Sequence, residues 1–466
     1  MARARIAQGI GLCLLVAGCA VGPDYERPEM ELPTGHRADP AETPDVAPLP
    51  EWREVFQDET LQSLIELALS NNLDLASARS RMREAEAQLT RARAPLYPSV
   101  DVAAGFERED ESDLTNSPGG AEDTFTFLGL LNWELDIWGF NRRTAQAFAA
   151  DLDAAEWQIY AQQVSLIGVV SATYYNLLAV RQQLALTRST VISRQQTLRI
   201  QELRNQSGVI SGLEVAQAEF AVAEAEQQIP RLENQILLFE NQLRRLLGES
   251  PTAVETTALL QDIPLAENLP AGLPAELLER RPDVRIAEFS LVAANAEVGV
   301  AKADLLPRIV LTGGFGNESA ELSDLLDSEG RTWITQIGIT QPVFNAGARR
   351  AAVDAAWERR QQAELAYVDT VLRSLEDVSN SLSTYTQAGE LAASTARLRD
   401  AAQEYLRLAT ARYNNGVIGY IDVLVAQRQF FDAELELIEA IRDRHLTIAL
   451  LYRALGGGWQ PEPEAS

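Results

Sequence analysis

Histidine and cysteine are scarce in this 466-residue chain, which contains two of each. With two imidazoles in the whole sequence, a histidine-rich metal site and a Ser-His-Asp triad are both disfavoured. Basic residues are also in deficit, because 40 Lys and Arg face 67 Asp and Glu and leave a formal net charge of −27. That balance disfavours nucleic acid as a partner, since phosphates are bound by clusters of Lys and Arg.

Long apolar runs and catalytic motifs are missing as well. Beyond the N-terminal segment no uninterrupted run of 18 or more apolar residues occurs, which predicts no membrane-spanning helix. No Cys-His pair, metal-spaced cluster or Ser-x-x-Lys motif appears. The many acidic residues fall mostly in predicted helices, where a solvated charged face is the ordinary explanation. The sequence therefore predicts a protein that is not an enzyme and has no metal site.

The N-terminus has the features of a secretion signal. Arg3 and Arg5 precede an apolar stretch over residues 6–16, which is as long as a signal-peptide core and too short to span a bilayer. The stretch ends in Leu15-Val16-Ala17-Gly18-Cys19, which resembles the lipobox of a bacterial lipoprotein. We therefore expect residues 1–18 to be a cleaved signal peptide. The alternative is a plain secretory signal with an incidental cysteine.

The lipobox predicts that Cys19 becomes the mature N-terminus and that its thiol carries acyl chains. Several acyl chains on one terminus anchor a protein stably, whereas a single chain does not. Ala20 follows the cysteine where an Asp would suggest retention in the inner membrane, and this favours the outer membrane. Cleavage also removes Cys13, which leaves no partner for a disulfide. We predict no cofactor other than this covalent lipid.

Residues 19–56 are predicted to be a lipidated, proline-rich leash, which is extended rather than helical over residues 20–50. Prolines recur throughout residues 20–50, at Pro23, Pro28, Pro33, Pro40, Pro44, Pro48 and Pro50. Proline fixes φ and removes a backbone donor, so a segment this rich in proline is extended.

The remainder of the chain contains an internal sequence repeat. The run Leu203-Arg204-Asn205-Gln206-Ser207-Gly208-Val209-Ile210 matches Ala411-Arg412-Tyr413-Asn414-Asn415-Gly416-Val417-Ile418 at an offset of 208. Near the same offset Pro98 matches Pro307, and Ile137-Trp138 matches Val343-Phe344. An ordered series at one offset indicates a tandem duplication. The predicted divisions are repeat 1 over 57–248, a linker over 249–282, repeat 2 over 283–456 and a tail over 457–466.

Each repeat contains a pair of segments that alternate between apolar and polar residues. They lie at about 99–108 and 124–135 in repeat 1, and at about 308–317 and 332–343 in repeat 2. A period of two predicts four strands with one apolar face. An ordinary half-buried sheet on a helical core would show the same alternation. The long acidic loops at 107–123 and 317–331 disfavour that alternative, because tight hairpins have short turns.

Each strand pair is followed by a long helical hairpin, predicted over 141–247 and 346–455. Residues 141–205 contain no proline and one glycine, and about 65 helical residues make a rod of roughly 100 Å. Pro230 should kink or break the first return helix. A shorter helix is predicted ahead of each strand pair, at about 60–93 and 283–304.

These features together resemble the TolC-like outer-membrane efflux protein family, in its lipoprotein branch that serves resistance-nodulation-division-type tripartite pumps. Four stretches carry the resemblance, in the family's order: Gly22-Pro23-Asp24-Tyr25-Glu26-Arg27-Pro28, Leu277-Leu278-Glu279-Arg280-Arg281-Pro282-Asp283-Val284, Arg412-Tyr413-x-x-Gly416-Val417 and Leu455-Gly456-Gly457-Gly458-Trp459. The resemblance covers essentially the whole mature chain.

The resemblance implies a mainly α-helical protein with a membrane β-barrel. Three chains would contribute four strands each to a 12-stranded barrel, continued by an α-helical periplasmic tunnel. Physical constraints agree, because four strands cannot close a barrel and an open edge in lipid leaves backbone groups unpaired. Eight strands would enclose a filled interior, whereas twelve leave room for a channel.

The implied function is a passive conduit from the periplasm to the exterior for small molecules such as drugs, other toxic compounds or metal ions. The implied partners are two further copies of the chain, a periplasmic adaptor protein, an inner-membrane efflux pump and outer-membrane lipid. A type I secretion tunnel uses the same architecture and stays open as an alternative. A periplasmic adaptor lipoprotein is a further alternative, although adaptors are expected to have one hairpin rather than two.

The resemblance also implies a periplasmic gate. Asp422 falls on a position where the family's acids line a closed aperture, and its repeat mate is Glu214. Val425 stands where relatives often have another Asp, which suggests partly apolar closure. Arg428, Tyr413 and Glu214 are candidate polar links between neighbouring helices. These five are the candidate gate residues; acids at a helix start are also favoured by the helix dipole alone.

The two helix reversals define the candidate tip residues, Gly208, Val209, Gly416 and Val417. A reversal needs positive φ at one position, which glycine adopts at low cost. An exposed valine after each glycine suggests a docking tip for the adaptor. The reversal alone would explain the glycines without any partner.

Overall fold

The computed structural model describes residues 20–36, 50–110, 121–266 and 274–458. Cys19 and the whole of residues 1–18 lie outside these ranges. Fourteen helices and strands of four or more residues follow in this order: α1 Trp52–Val55, α2 Glu59–Asn71, α3 Leu73–Arg93, β1 Ser99–Asp110, β2 Ala121–Glu134, α4 Phe140–Gln206, α5 Gly212–Glu226, α6 Gln228–Leu246, α7 Leu277–Arg280, α8 Pro282–Ala303, β3 Arg308–Ser319, β4 Arg331–Thr340, α9 Ala348–Asn414 and α10 Tyr420–Ala454.

The described chain divides into two compact units, and neither coincides with a repeat. The first unit comprises Met1–Glu29, Ser80–Glu156 and Ile286–Asp369, and the second comprises Met30–Arg79, Trp157–Arg285 and Thr370–Ser466. Each unit therefore takes residues from both copies of the repeat.

The first unit contains a four-stranded antiparallel sheet in the order β1-β2-β3-β4. Partners directly opposite each other share a face, and the ladders place Phe106 opposite Phe125 and Leu311 opposite Ile337. The rings of Phe106 and Phe125 are 4.8 Å apart. The apolar positions of all four strands thus join on one face, and much of that face is solvent-exposed in the single chain.

The N-terminal segment of the first unit is extended and is held by charged contacts. The guanidinium of Arg27 binds the buried carboxylate of Glu288, with Nε to Oε1 at 2.7 Å and Nη2 to Oε2 at 2.9 Å. Asp24 accepts a hydrogen bond of 2.9 Å from Nη2 of Arg143. The amide of Asn295 donates to the carbonyl of Pro23 at 2.9 Å. Contacts within the protein chain therefore fix residues 20–29 to α4 and α8.

The second unit has a large apolar core built from helices of both repeats. Its largest fully buried side chains include Phe56, Leu61, Tyr174 and Leu243. Arg281, in the stretch that resembles the family's central signature, is buried beneath α9 and α10. It donates to the carbonyls of Ser374 and Ala454 and binds the carboxylates of Asp283 and Asp377. These bonds compensate the burial of its charge.

One helix differs from the sequence-based expectation, and the break expected near Pro230 in another helix is confirmed. The helix predicted over 60–93 is interrupted at Asn72, whose Oδ1 accepts from the backbone N–H of Leu75 and whose Nδ2 donates to the carbonyl of Leu246 at 2.9 Å. The first return helix breaks at Gln227, three residues before Pro230. Its counterpart α10 has no proline and continues over 35 residues.

One helix among the described residues, Phe140–Gln206, is long and apolar enough to cross a membrane by length and composition. The sequence predicted no such helix, because polar residues interrupt the most apolar stretch of Phe140–Gln206. The mean hydropathy of that stretch is nevertheless high. Two thirds of that stretch are buried inside the structure. Burial of this kind is typical of a core helix, so the feature is weak support for a membrane span.

Candidate functional site

The first helical hairpin turns at Gly208, which has φ of +72°. The N–H of Gly208 donates to the carbonyl of Asn205, and the N–H of Val209 donates to that of Arg204, both at 2.9 Å. This pair of bonds is the Schellman motif, which satisfies the last carbonyls of a helix and requires a left-handed residue. The side chain of Val209 is 71% exposed.

The second hairpin turns in the same way at Gly416, with φ of +71°. The N–H of Gly416 donates to the carbonyl of Tyr413 at 2.9 Å, and that of Val417 donates to Arg412 at 3.0 Å. Val417 is 61% exposed. Both valines therefore present apolar surface beside a turn that is closed by backbone hydrogen bonds, and the turn itself accounts for both glycines.

Tyr413 links the two hairpins through its hydroxyl group. Nη1 of Arg204 donates to this oxygen at 3.1 Å, and Nε2 of Gln201 donates at 3.3 Å. The ring of Tyr413 lies 5.6 Å from the ring of Tyr420, which is buried together with Val423. Burial raises the pKa of Tyr420 to about 12, so the hydroxyl of Tyr420 remains neutral at physiological pH.

Glu214 bonds within its own turn rather than across to another helix. Ser211 is the N-cap of α5, and its hydroxyl accepts from the N–H of Leu213 and donates to the carboxylate of Glu214. Serine at the N-cap with glutamate three residues later forms a capping box. The hydrogen bond from Ser211 lowers the pKa of Glu214. The capping role is sufficient to explain this acid.

Asp422 has different surroundings at the corresponding place in the second repeat. The N-cap of α10 is Gly419, which has no side chain to form a cap. Asp422 is exposed, and its carboxylate forms no hydrogen bond or ion pair within the described part of the chain. Its charge is therefore open to solvent beside the second turn.

Val425 and Arg428 line an apolar cavity between α5 and α10. The cavity has a volume of about 310 Å³, and its walls include Leu213, Phe220, Leu424 and Arg194. Arg428 is exposed and has no carboxylate within ion-pair distance among the described residues. Burial raises the pKa of Asp432, while the positive charge of Arg428 acts in the opposite direction.

Arg194 braces the inner wall of this cavity. Its side chain is buried, and Nη1 donates to the carbonyl of Ala221 at 2.6 Å and to Glu224 Oε2 at 3.1 Å. The guanidinium also lies 5.5 Å from the ring of Phe431. Together these contacts hold α4 against α5 and α10.

All candidate gate and tip residues belong to the second unit. Within the described ranges, Tyr413 is the one proposed polar link that joins two helices. Its partners Gln201 and Arg204, and the buried Arg194, were not singled out from the sequence. Polar residues on a predicted long helix are ordinary surface residues, so no signal within the sequence distinguishes them.

The outer membrane efflux protein family model matches two segments of the chain, residues 64–249 and 273–457. The toluene efflux pump outer membrane protein TtgC of Pseudomonas putida is 32% identical over 453 residues, which cover 96% of this chain and 94% of that protein. The cation efflux system protein CusC of Escherichia coli is 30% identical over 454 residues, covering 96% and 98%.

A solved structure of the outer-membrane channel OprN superposes with a TM-score of 0.89 at 30% identity. The superposition covers 95% of this chain and all of that one. The long hairpins, the four-stranded sheet and the duplicated order of elements are thus shared over nearly the full length. The chain belongs to the outer membrane efflux protein family.

Proposed function

We propose that three copies of this chain form the outer-membrane channel of a tripartite efflux system in a Gram-negative bacterium. The observation that carries the proposal is the sheet, which has an exposed apolar face and whose edge strands β1 and β4 pair with no further strand in the part of the chain that the structure describes. An unpaired edge cannot lie in lipid, because its backbone groups would lack partners. Three sheets supply twelve strands, which close a barrel with an open interior.

The conduit is passive and receives small molecules from an inner-membrane pump through a periplasmic adaptor. Family membership supports this role, as do relatives of similar identity whose names refer to toluene and to cations. The candidate tip residues dock the adaptor hairpin. The candidate gate residues, with Asp422 foremost, line the periplasmic constriction, and acyl chains on Cys19 add a second membrane anchor.

Purified protein in a planar lipid bilayer tests the channel. We expect stepwise single-channel currents, together with a trimer mass by native mass spectrometry. A protein that is monomeric by mass and gives no conductance in the bilayer would contradict the proposal. Co-purification with a periplasmic adaptor distinguishes an efflux channel from a simple porin. We expect the adaptor to co-purify with the wild-type protein and to be lost when Val209 and Val417 are substituted.

A further inference from the structure

The cavity between α5 and α10 is built from corresponding positions of the two repeats. Four residues of α5 and four of α10 line it: Leu213, Ala216, Gln217 and Phe220, and Ile421, Leu424, Val425 and Arg428. Each residue of the second group lies 208 positions after its counterpart in the first, which is the offset of the duplication. Spacings of three and four place each group on one face of its helix. The two repeats therefore face each other across the cavity.

The repeats differ at the position that gives the cavity its chemical character. Phe220 on α5 corresponds to Arg428 on α10, so an aromatic ring in one copy is replaced by a guanidinium in the other. Close-packed helices leave few voids larger than a water molecule, whereas this cavity has a volume of about 310 Å³. Pockets that bind small molecules begin at about 300 Å³ and combine apolar walls with a few polar groups. The cavity has both properties.

The apolar side chains of the walls are open to solvent. Phe220 is 70% exposed, Leu213 is 65% exposed and Ile421 is 52% exposed. A ligand with an apolar body would cover this surface and remove it from water, which is favourable. The walls therefore favour an apolar group over a polar one.

The charges of the lining leave one cation without an ionic partner. Arg194 binds Glu224 at 3.1 Å, so these two charges offset each other. Arg428 has no carboxylate within ion-pair distance in the described part of the chain. Asp432 lies one turn further along α10 and is outside the lining. The cavity therefore presents a positive charge next to an apolar surface.

We propose that this cavity binds a small amphipathic anion, namely an apolar body with a single carboxylate or sulfonate group. The apolar body lies against Phe220 and Leu213, and the anionic group pairs with the guanidinium of Arg428, which binds such groups through two parallel hydrogen bonds. A cation would be repelled by Arg428, and a polyol would leave the apolar walls uncovered. All lining residues belong to the second unit of a single chain, so the site does not depend on the proposed channel.

Photoaffinity labelling of the full-length protein in phosphatidylcholine nanodiscs tests the site. These nanodiscs contain no anionic lipid that could compete. A decanoate probe with a diazirine group is compared with its methyl ester and with the corresponding alkylammonium, which have the same apolar body. We expect saturable labelling of residues 213–224 and 421–428 by the carboxylate, mapped by mass spectrometry and displaced by unlabelled decanoate. Labelling by the alkylammonium should be roughly tenfold weaker, because it cannot form the charge-assisted bonds.

Three substitutions separate the charge of the site from its shape. Arg428→Gln should reduce labelling by the carboxylate roughly tenfold and leave labelling by the ester unchanged, because the amide is polar but uncharged. Arg199→Gln is the matched control, since Arg199 is an exposed arginine of α4 outside the cavity. Ala216→Phe places a ring in the cavity and should reduce labelling by all three probes.

Absence of labelling, equal labelling by the carboxylate and the alkylammonium, or unchanged labelling of Arg428→Gln would each overturn the anion site. Labelling of solubilised monomers but not of the assembled protein would show that a neighbouring copy fills the cavity, and this would also overturn the proposal. A conducting trimer that is not labelled would leave the proposed function intact, so the two proposals fail separately.

Discussion

At the scale of single residues, the two acids that correspond in the repeat have acquired different surroundings. Glu214 is held by the hydroxyl of Ser211, whereas the N-cap residue before Asp422 is Gly419. The missing hydroxyl leaves the Asp422 carboxylate available for groups outside its own chain. Threefold symmetry would repeat it as a ring of three, which makes Asp422 the stronger candidate for the gate.

Asp422→Asn is expected to weaken the cation preference of the channel and its block by multivalent cations. A ring of carboxylates at a narrow mouth raises the local cation concentration, and the substitution removes that charge without changing the side-chain size. Ion selectivity and block in planar bilayers measure the effect. Asp422→Glu retains the charge and serves as the control, and Glu214→Gln should leave selectivity nearly unchanged. Wild-type selectivity and block for Asp422→Asn in an assembled trimer would reduce Asp422 to a helix-start acid.

His445 predicts a pH dependence of stability. The ring is buried, Nε2 lies 3.0 Å from the carbonyl of Leu260, and Tyr175 stacks at 4.7 Å. Burial lowers its pKa from 6.5 to about 4. The unfolded chain therefore binds a proton before the folded chain does, and folding is destabilised as the pH falls from about 6.5 towards 4. The slope contributed by one such group is at most about 1.4 kcal/mol per pH unit.

Thermal unfolding of wild type and His445→Gln between pH 7 and pH 4 tests this. Glutamine can donate to the Leu260 carbonyl but does not titrate in this range. We expect the variant to lose less stability on acidification, even if it is less stable at pH 7. Parallel pH profiles for the two proteins would show that His445 does not contribute.

At the scale of elements, periodicity alone predicted segments that became strands and long helices. The alternation around Phe106 and Ile337 and the glycine turns at Gly208 and Gly416 are local signals. The break at Asn72 is not local, because its amide group reaches the carbonyl of Leu246. Arg194 and Gln201 likewise acquire their importance from contacts with helices distant in sequence. Single-sequence patterns describe elements, whereas these contacts require the packed fold.

The paired substitutions Val209→Asp and Val417→Asp are expected to abolish crosslinking to an adaptor hairpin. Both valines are exposed beside Schellman turns that the substitutions leave intact, so trimer assembly should be unchanged. An aspartate at each position would have to lose its hydration when an apolar partner surface covers it, and this cost weakens the contact. Leu326→Asp, a similarly exposed apolar residue between β3 and β4, is the matched control. Undiminished crosslinking by the double variant would show that these valines do not dock the adaptor.

At the scale of the whole molecule, the sequence predicts the duplication but not the compact units. Each unit takes residues from both copies, and the core of the second unit packs Leu61 and Tyr174 of the first copy with Ile448 and Tyr452 of the second. The sheet ends in β1 and β4, which pair with no further strand among the described residues. In the proposed trimer neighbouring copies cover these two edges.

The N-terminal segment is held in place by contacts with the rest of the protein, and the predicted lipid on Cys19 is not needed for these contacts. Ala20 lies against Gly139, where a Cβ atom would come within 2.7 Å of the Ala20 Cβ, and Arg27 is bound to Glu288. Acyl chains on Cys19 would therefore be attached one residue before a segment that protein contacts already hold in place. Because the sheet itself is proposed to span the membrane, the lipid is an additional anchor rather than the determinant of the channel.

Cys19→Ser is accordingly expected to lower the amount of protein in the outer membrane severalfold and to leave single-channel conductance unchanged. Mass spectrometry of the wild-type protein should find acylated Cys19 at the N-terminus, and Cys13→Ser provides the control within the signal segment. Detection of residues 1–18 or of an unmodified Cys19 would contradict the lipid anchor. A loss of conductance in correctly assembled Cys19→Ser trimers would instead show that the anchor shapes the channel, because the contacts of Arg27 and Ala20 would then be insufficient to hold the N-terminal segment.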